Sequence, residues 1–168
     1  MAAGVLRSGM MAMAVALITG CTSVGLNNTD PSSASGTPQA VLNQQIDKLL
    51  LEQRSVCMSA QYEAMRQKNP CSIADITFAQ LADNSKITNT QRPQVIDAYT
   101  KMDKLYQEIT ALYQAFGTEQ ATKVVQARNW AYEQSLKNRL SLVNGQITWG
   151  QFLDQRKQIN TEMMRRAR

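Results

Sequence analysis

Apolar side chains recur along residues 38–168 with helical rather than strand spacing. No segment alternates apolar and polar residues with the period of two that marks a half-buried strand. Helix-favouring Gln, Ala, Leu, Lys and Glu fill long stretches that lack glycine and proline. Helix breakers after residue 37 are few: Pro38, Pro70, Pro93, Gly117, Gly145 and Gly150. The pattern predicts an all-α domain over residues 38–168.

The first predicted helix begins at Thr37-Pro38, where an N-cap residue precedes a proline at the first helical position. Because the residue before a proline disfavours the helical conformation, this helix must end by Asn69-Pro70. A short helix is expected at residues 75–83, before a polar loop. The apolar face of the first helix comprises Val41, Leu42, Ile46, Leu49, Leu50, Val56, Ala60 and Ala64.

A second long helix is predicted from near Thr90 to just before Gly117, a residue type that commonly ends helices. Its apolar positions advance in alternating steps of four and three residues, the spacing used in bundles and coiled coils. Ala98, Leu105 and Leu112 widen this stripe, which favours a multi-helix bundle over a two-stranded coil. The stripe runs through Val95, Tyr99, Met102, Tyr106, Ile109, Tyr113 and Phe116.

Two more helices complete the prediction. One runs from after Thr118 to Asn144-Gly145. The last starts at a capping box formed by Thr148 and Gln151, with Ile147 placed to staple against Phe152. Four apolar-faced helices with short connections predict a small antiparallel bundle, with one additional short helix.

The N-terminal residues have the features of an export signal rather than of the fold. Arg7 supplies a positive charge, and Met10–Ile18 is an uncharged apolar run too short to span a membrane as a helix. The sequence Leu17-Ile18-Thr19-Gly20-Cys21 resembles the lipobox of bacterial lipoproteins. That resemblance implies cleavage before Cys21 and acylation of Cys21. The acyl chains would anchor the protein stably in a membrane, because each buried methylene contributes about 0.8 kcal/mol. An ordinary signal peptide with a chance cysteine, or an uncleaved N-terminal helix, is the alternative.

The resemblance also implies a location and a domain organisation. Thr22 follows the cysteine where Asp would retain the lipoprotein at the inner membrane, so the outer membrane, facing the periplasm, is expected. Residues 22–37 are rich in Ser, Thr, Asn and Gly, and they offer little to bury. The expected organisation is a signal peptide at 1–20, a lipidated cysteine and tether at 21–37, and a helical domain at 38–168.

Cys57 and Cys71 remain once Cys21 is assigned to the lipid. The envelope is oxidising, which favours a disulfide between them. A disulfide needs Cα atoms about 4.4–6.8 Å apart. An unbroken helix to Lys68 would place Cys57 too far from its end for Cys71 to reach back. Either the first helix ends near residue 64 and the chain doubles back, or the two cysteines are unbonded core residues.

Composition excludes several kinds of chemistry. The chain has no histidine, so a Ser-His-Asp triad, a histidine base and a histidine-containing zinc site are impossible. Three cysteines are too few for an all-cysteine metal centre. The sequence contains no glycine-rich phosphate loop and no GxSxG elbow. We expect neither an enzyme nor a metal site, and no cofactor besides the covalent lipid.

Two features are candidates for partner binding. Tyr99, Tyr106 and Tyr113 recur every seven residues and form either a partner-binding stripe or the edge of the core. The formal net charge of +5 becomes +4 when Arg7 is removed. Part of it lies near the C-terminus, which either contacts an anionic partner or is solvated. These C-terminal cations are Arg156, Lys157, Arg165, Arg166 and Arg168.

The expected function is non-enzymatic binding at the cell envelope. The protein is similar in class, though in no specific motif, to helical pilotin lipoproteins, which bind an amphipathic client segment between helices. We expect an envelope protein partner and a membrane anchored through lipid, with no nucleic acid and no small-molecule substrate. The alternative is an envelope-structural or surface-interaction lipoprotein that contacts peptidoglycan, lipopolysaccharide or another cell.

Overall fold

The structure is a computed structural model that describes residues 36–168. The predicted signal peptide and lipobox, and the tether up to Ser35, lie outside the described residues. Within the described range the fold is all-α, which confirms the predicted fold class. None of the helices there combines the length and the apolarity needed to cross a membrane. The helices are α1 (Pro38–Met58), α2 (Glu63–Lys68), α3 (Phe78–Leu81), α4 (Gln91–Phe116), α5 (Glu119–Val143) and α6 (Trp149–Arg166).

The four long helices form an antiparallel bundle in which α4 packs between α1 and α5, and α6 packs against α5. Leu42, near the start of α1, packs with Ile109, near the end of α4, so these two helices run in opposite directions. At the start of α5, the Gln120 side chain donates a hydrogen bond to the carbonyl of Ala167, just after the end of α6. Each successive long helix therefore reverses direction.

Helix ends follow the local sequence signals. Gly117 ends α4 in the left-handed conformation at φ 71°, which glycine adopts without the Cβ clash of other residues. Thr118 caps α5 by accepting a hydrogen bond from the Ala121 amide. At the start of α6, Thr148 and Gln151 form the predicted capping box. These stops and starts set the lengths of the helices that line the site described below.

The chain reverses direction after α1, earlier than the first predicted helix allows. Ser59 leaves the helical conformation at φ −56° and ψ 138°, and a 3₁₀ turn at Ala60–Tyr62 leads into α2. This reversal brings the Cα atoms of Cys57 and Cys71 to 5.8 Å, and the two residues form a disulfide. The doubling back that the pairing requires is confirmed. The short helix expected at 75–83 is a 3₁₀ turn, Ile73–Asp75, followed by α3.

The core has two parts. One lies where the start of α1 meets the end of α4, around Leu42, Ile46 and Ile109. The larger part lies at the opposite end of the bundle and joins α2, α4, α5 and α6. Two of its fully buried aromatic side chains, Trp149 and Phe152, meet edge to face with ring centroids 5.9 Å apart. Ile147 packs against this part of the core, which includes Phe152.

The segment after α3 is held against the start of α6 by backbone contacts. The Gly150 amide donates to the Asp83 carbonyl at 2.9 Å, and the Trp149 amide donates to the Ser85 carbonyl at 3.0 Å. Burial alone would raise the pKa of the Asp83 carboxyl, but hydrogen bonds from Lys68 and Ser85 outweigh burial and lower this pKa to about 2. Asp83 therefore ties α2 to the same segment through its ion pair with Lys68.

Gly150→Ala tests this close approach. A Cβ at residue 150 would overlap the Leu81 carbonyl oxygen and lie 2.9 Å from the Asp83 carbonyl oxygen. Because both obstacles are backbone atoms, the segment would have to move and lose its hydrogen bonds to α6. We expect the free energy of unfolding to fall by about 2–3 kcal/mol in urea titrations followed by circular dichroism.

Gly36→Ala is the matched control, since its Cβ would meet only ordinary contacts, 3.6 Å from the Ala40 Cβ. We expect this variant to unfold within about 0.5 kcal/mol of the parent. Equal stability of the two variants would show that the approach at Gly150 does not matter to the fold.

Candidate functional site

A groove of about 720 Å³ opens between α1 and α5, with α4 beneath it. We call it the central groove. One end is closed by the segment 69–75 and by Arg156 from α6. Its volume is in the range of protein pockets that hold a small ligand or a few side chains of a partner. The bundle forms this groove because α1 and α5 pack on different sides of α4.

Tyrosine side chains form much of the groove surface. Tyr99 and Tyr106 come from α4, and Tyr132 comes from α5. The rings of Tyr106 and Tyr132 stack with centroids 5.8 Å apart. The Tyr99 hydroxyl accepts a hydrogen bond from Asn69, and the Tyr106 hydroxyl donates to the Arg128 carbonyl. The rings are thus fixed in position while part of each surface lines the groove.

The predicted tyrosine stripe is divided between two environments. Tyr99 and Tyr106 line the central groove, and Tyr99 also packs against the larger part of the core, whereas Tyr113 packs against the core between α1 and α4. Tyr113 packs with the first turns of α1, whereas the groove opens where Tyr99 and Tyr106 lie beside the later part of α1. A seven-residue spacing identifies one helix face, but it does not tell where along that face a neighbouring helix stops covering it.

Arg139 is the most buried charged group of the groove, with 7% of its surface exposed. It forms an ion pair with Asp103 at 2.8 Å, and its guanidinium lies 4.6 Å from the centre of the Tyr99 ring. Tyr132 donates a longer hydrogen bond to the same aspartate at 3.4 Å. Arg139 therefore joins α4 to α5 through a charge pair and aromatic stacking.

Two further arginines surround the disulfide at the closed end of the groove. Arg66 donates to the carbonyls of Cys57 and Ser59, at 3.2 and 3.1 Å. Arg156 donates to the Asn69 side chain at 2.7 Å, to the Pro70 carbonyl at 2.7 Å and to the Cys71 carbonyl at 3.1 Å. These neutral acceptors fix both guanidinium groups where the chain reverses.

Arg128 supports the other end of the tyrosine surface. Its guanidinium stacks 3.9 Å from the centre of the Tyr106 ring and donates to the Thr110 hydroxyl and the Tyr106 carbonyl. Burial lowers the pKa of Arg128 and raises the pKa of Tyr106. The phenol therefore stays protonated at neutral pH and continues to donate to the Arg128 carbonyl.

The C-terminal cations predicted as one basic surface have different environments. Arg156 lies in the central groove, whereas Arg165 and Arg166 both pair with Glu162 at 2.7 Å. Hydrogen bonds from Arg165 and Arg166 lower the pKa of Glu162 to about 2. Lys157 and Arg168 are exposed. Glu162 therefore compensates only part of the positive charge at the end of α6.

Sequence reasoning missed Arg66, Asn69, Arg139 and Tyr132 as groove residues. Each is an isolated polar or aromatic residue, and its role depends on contacts between distant segments. One signal was available: Tyr132, Ser135 and Arg139 are spaced so that they share one face of α5. No cluster of three or more His, Cys, Asp or Glu side chains suited to a metal ion occurs in residues 36–168.

Comparison with known proteins adds no assignment to this geometry. No protein-family model, curated protein or solved structure matches the chain significantly.

A double-mutant cycle tests the Arg139–Asp103 pair. Arg139→Met leaves a mostly buried carboxylate without its partner, so we expect a loss of about 2–3 kcal/mol in the free energy of unfolding. Asp103→Asn leaves Arg139 without a counter-charge and should also destabilise the fold. In urea unfolding, the double variant should lose at least about 1 kcal/mol less free energy of unfolding than the two single variants lose in sum. Strict additivity would show that the two charges do not interact.

Proposed function

We propose that the protein is a bacterial lipoprotein anchored through Cys21, whose helical domain binds a segment of another envelope protein in the central groove. The lipobox-like sequence supports the anchor, and Thr22 supports the outer membrane facing the periplasm. The domain then acts without catalysis, as a binding or assembly factor. Its class is that of the pilotin lipoproteins.

The groove is the observation that carries this proposal. It offers aromatic and aliphatic surface next to fixed polar groups, the combination that ligand-binding clefts use. Its rim includes apolar side chains that are open to solvent: Leu50 is 46% exposed and Met58 is 52% exposed. A partner segment laid in the groove would remove this apolar surface from water, which is the main driving force of such association.

The positions of two adjacent leucines allow a matched test. Leu50 lines the groove, whereas Leu51 is outside the groove lining and 69% exposed on α1. A photo-reactive amino acid is placed at either position in the lipidated chain and irradiated in living cells. We expect one defined protein to cross-link from position 50 and not from position 51, with the contact peptide identified by mass spectrometry.

Cys21→Ser in the position-50 protein provides the anchoring control. If the anchor brings the groove to its partner, this variant should lose membrane association and most of the cross-link. Equal cross-linking from positions 50 and 51 would contradict groove binding. If position 50 cross-links only to peptidoglycan or lipopolysaccharide, the proposed protein partner is wrong and an envelope-structural role is favoured instead.

A further inference from the structure

The arginines of the described fold differ in what holds them. Arg139, Arg165 and Arg166 are paired with carboxylates. Arg66 and Arg156 are instead held by backbone carbonyls and an amide side chain. Within residues 36–168, neither has a carboxylate within 4.0 Å, and neither does Arg54 on the groove wall. The groove therefore keeps positive charge that the described fold does not neutralise.

The charged side chains that line the groove carry a net positive charge. Its lining contains four arginines and two aspartates, an excess of two positive charges. Asp103 is already paired with Arg139, which leaves Asp75 as the remaining acidic side chain in a lining that also holds Arg54, Arg66 and Arg156. An anionic partner would meet Arg66 and Arg156 oriented beforehand by their hydrogen bonds, so little ordering of these two side chains is needed when it binds.

The rest of the lining restricts what kind of anion fits. Leu50, Met58 and Met102 offer aliphatic surface, and the tyrosines offer aromatic surface. An inorganic anion would leave this surface exposed to water. A peptide segment with acidic side chains beside apolar ones can satisfy both parts, because arginine binds carboxylates with paired, charge-assisted hydrogen bonds.

We propose that the central groove binds an acidic, amphipathic peptide segment, with its carboxylates at the arginine-rich closed end and its apolar side chains on the Tyr99 and Tyr106 surface. This inference rests on the proposed function and names the chemistry of the partner. It places recognition in the groove rather than on the basic end of α6, where Arg165 and Arg166 share the one carboxylate of Glu162.

The first test selects binding peptides without assuming a partner. Random peptides displayed on phage are selected on the lipidated full chain in nanodiscs, after subtraction on empty nanodiscs. We expect enriched sequences to combine Asp or Glu with Leu, Ile or Phe. These peptides should compete with the cross-link from position 50, and their affinity should fall as salt rises.

Two charge reversals then locate the contact. Arg54→Glu changes an exposed groove residue that has no ion pair in the described fold. Lys157→Glu makes the same charge change at an exposed α6 position outside the groove. We expect Arg54→Glu to weaken binding of the selected peptide about tenfold, the loss of one charge-assisted hydrogen bond. Lys157→Glu should change it less than about twofold. Circular dichroism verifies that both variants are folded.

The outcomes separate this inference from the proposed function. Competing peptides that are neutral or basic would overturn the acidic partner while leaving groove binding intact. Failure of any selected peptide to compete, together with no protein cross-link from position 50, would overturn both. Arg54-dependent binding to phosphatidylglycerol vesicles, with no acidic peptide selected, would assign the groove to anionic lipid instead.

Discussion

The reversal of the chain after Met58, fixed by the Cys57–Cys71 disulfide, is the constraint on which the groove depends. It turns α2 and the segment that follows back across the end of α1. A cross-link between residues 14 apart restricts the unfolded chain and contributes about 3 kcal/mol in the loop-entropy account. The folded-state consequence is more specific, because the disulfide holds the segment 69–75 where it closes one end of the groove.

Hydrogen bonds to neutral groups extend this constraint into the site. Arg66 binds the carbonyl of Cys57, and Arg156 binds the carbonyl of Cys71, so each half of the disulfide is attached to an arginine. Asn69, which is buried, accepts from Arg156 and donates to Tyr99. The closed end of the groove is thus connected to its tyrosine surface through satisfied polar contacts, which makes the site rigid without neutralising its charge.

Sequence patterns predict the parts of this fold that local interactions decide. The ends of α4, α5 and α6 follow from Gly117, Thr118 and the Thr148–Gln151 capping box. The break at Ser59 has no glycine or proline to mark it. It depends on the disulfide and on Arg66, both of which act between residues that are separated along the chain. The fold class was therefore predictable, but the point of reversal was not.

The candidate site was predictable only in part, because its contacts also join residues that are distant along the chain. The spacing of Tyr99 and Tyr106 identified a face of α4. Arg156 is one of the cations near the C-terminus that the sequence shows directly. Whether a cation is free or paired depends on its tertiary neighbours. Arg165 and Arg166 both pair with Glu162 on the same helix, whereas Arg156 reaches across the bundle to carbonyl oxygens near the disulfide. Counting charges along the sequence therefore did not distinguish Arg156, which lines the groove, from Arg165 and Arg166, which pair with Glu162.

Occupation of the groove in the native envelope is the central claim, and methionine oxidation measures it most directly. Met58 lines the groove at 52% exposure, and Met164 lies on α6 outside it at 42% exposure. An exposed methionine oxidises faster than a covered one, so a partner in the groove should slow the oxidation of Met58. The oxidation rates of Met58 and Met164 are measured by mass spectrometry on the lipidated chain, in native envelopes and after purification. We predict that the Met58 rate relative to Met164 is several-fold lower in native envelopes than after purification. An unchanged ratio would contradict the account.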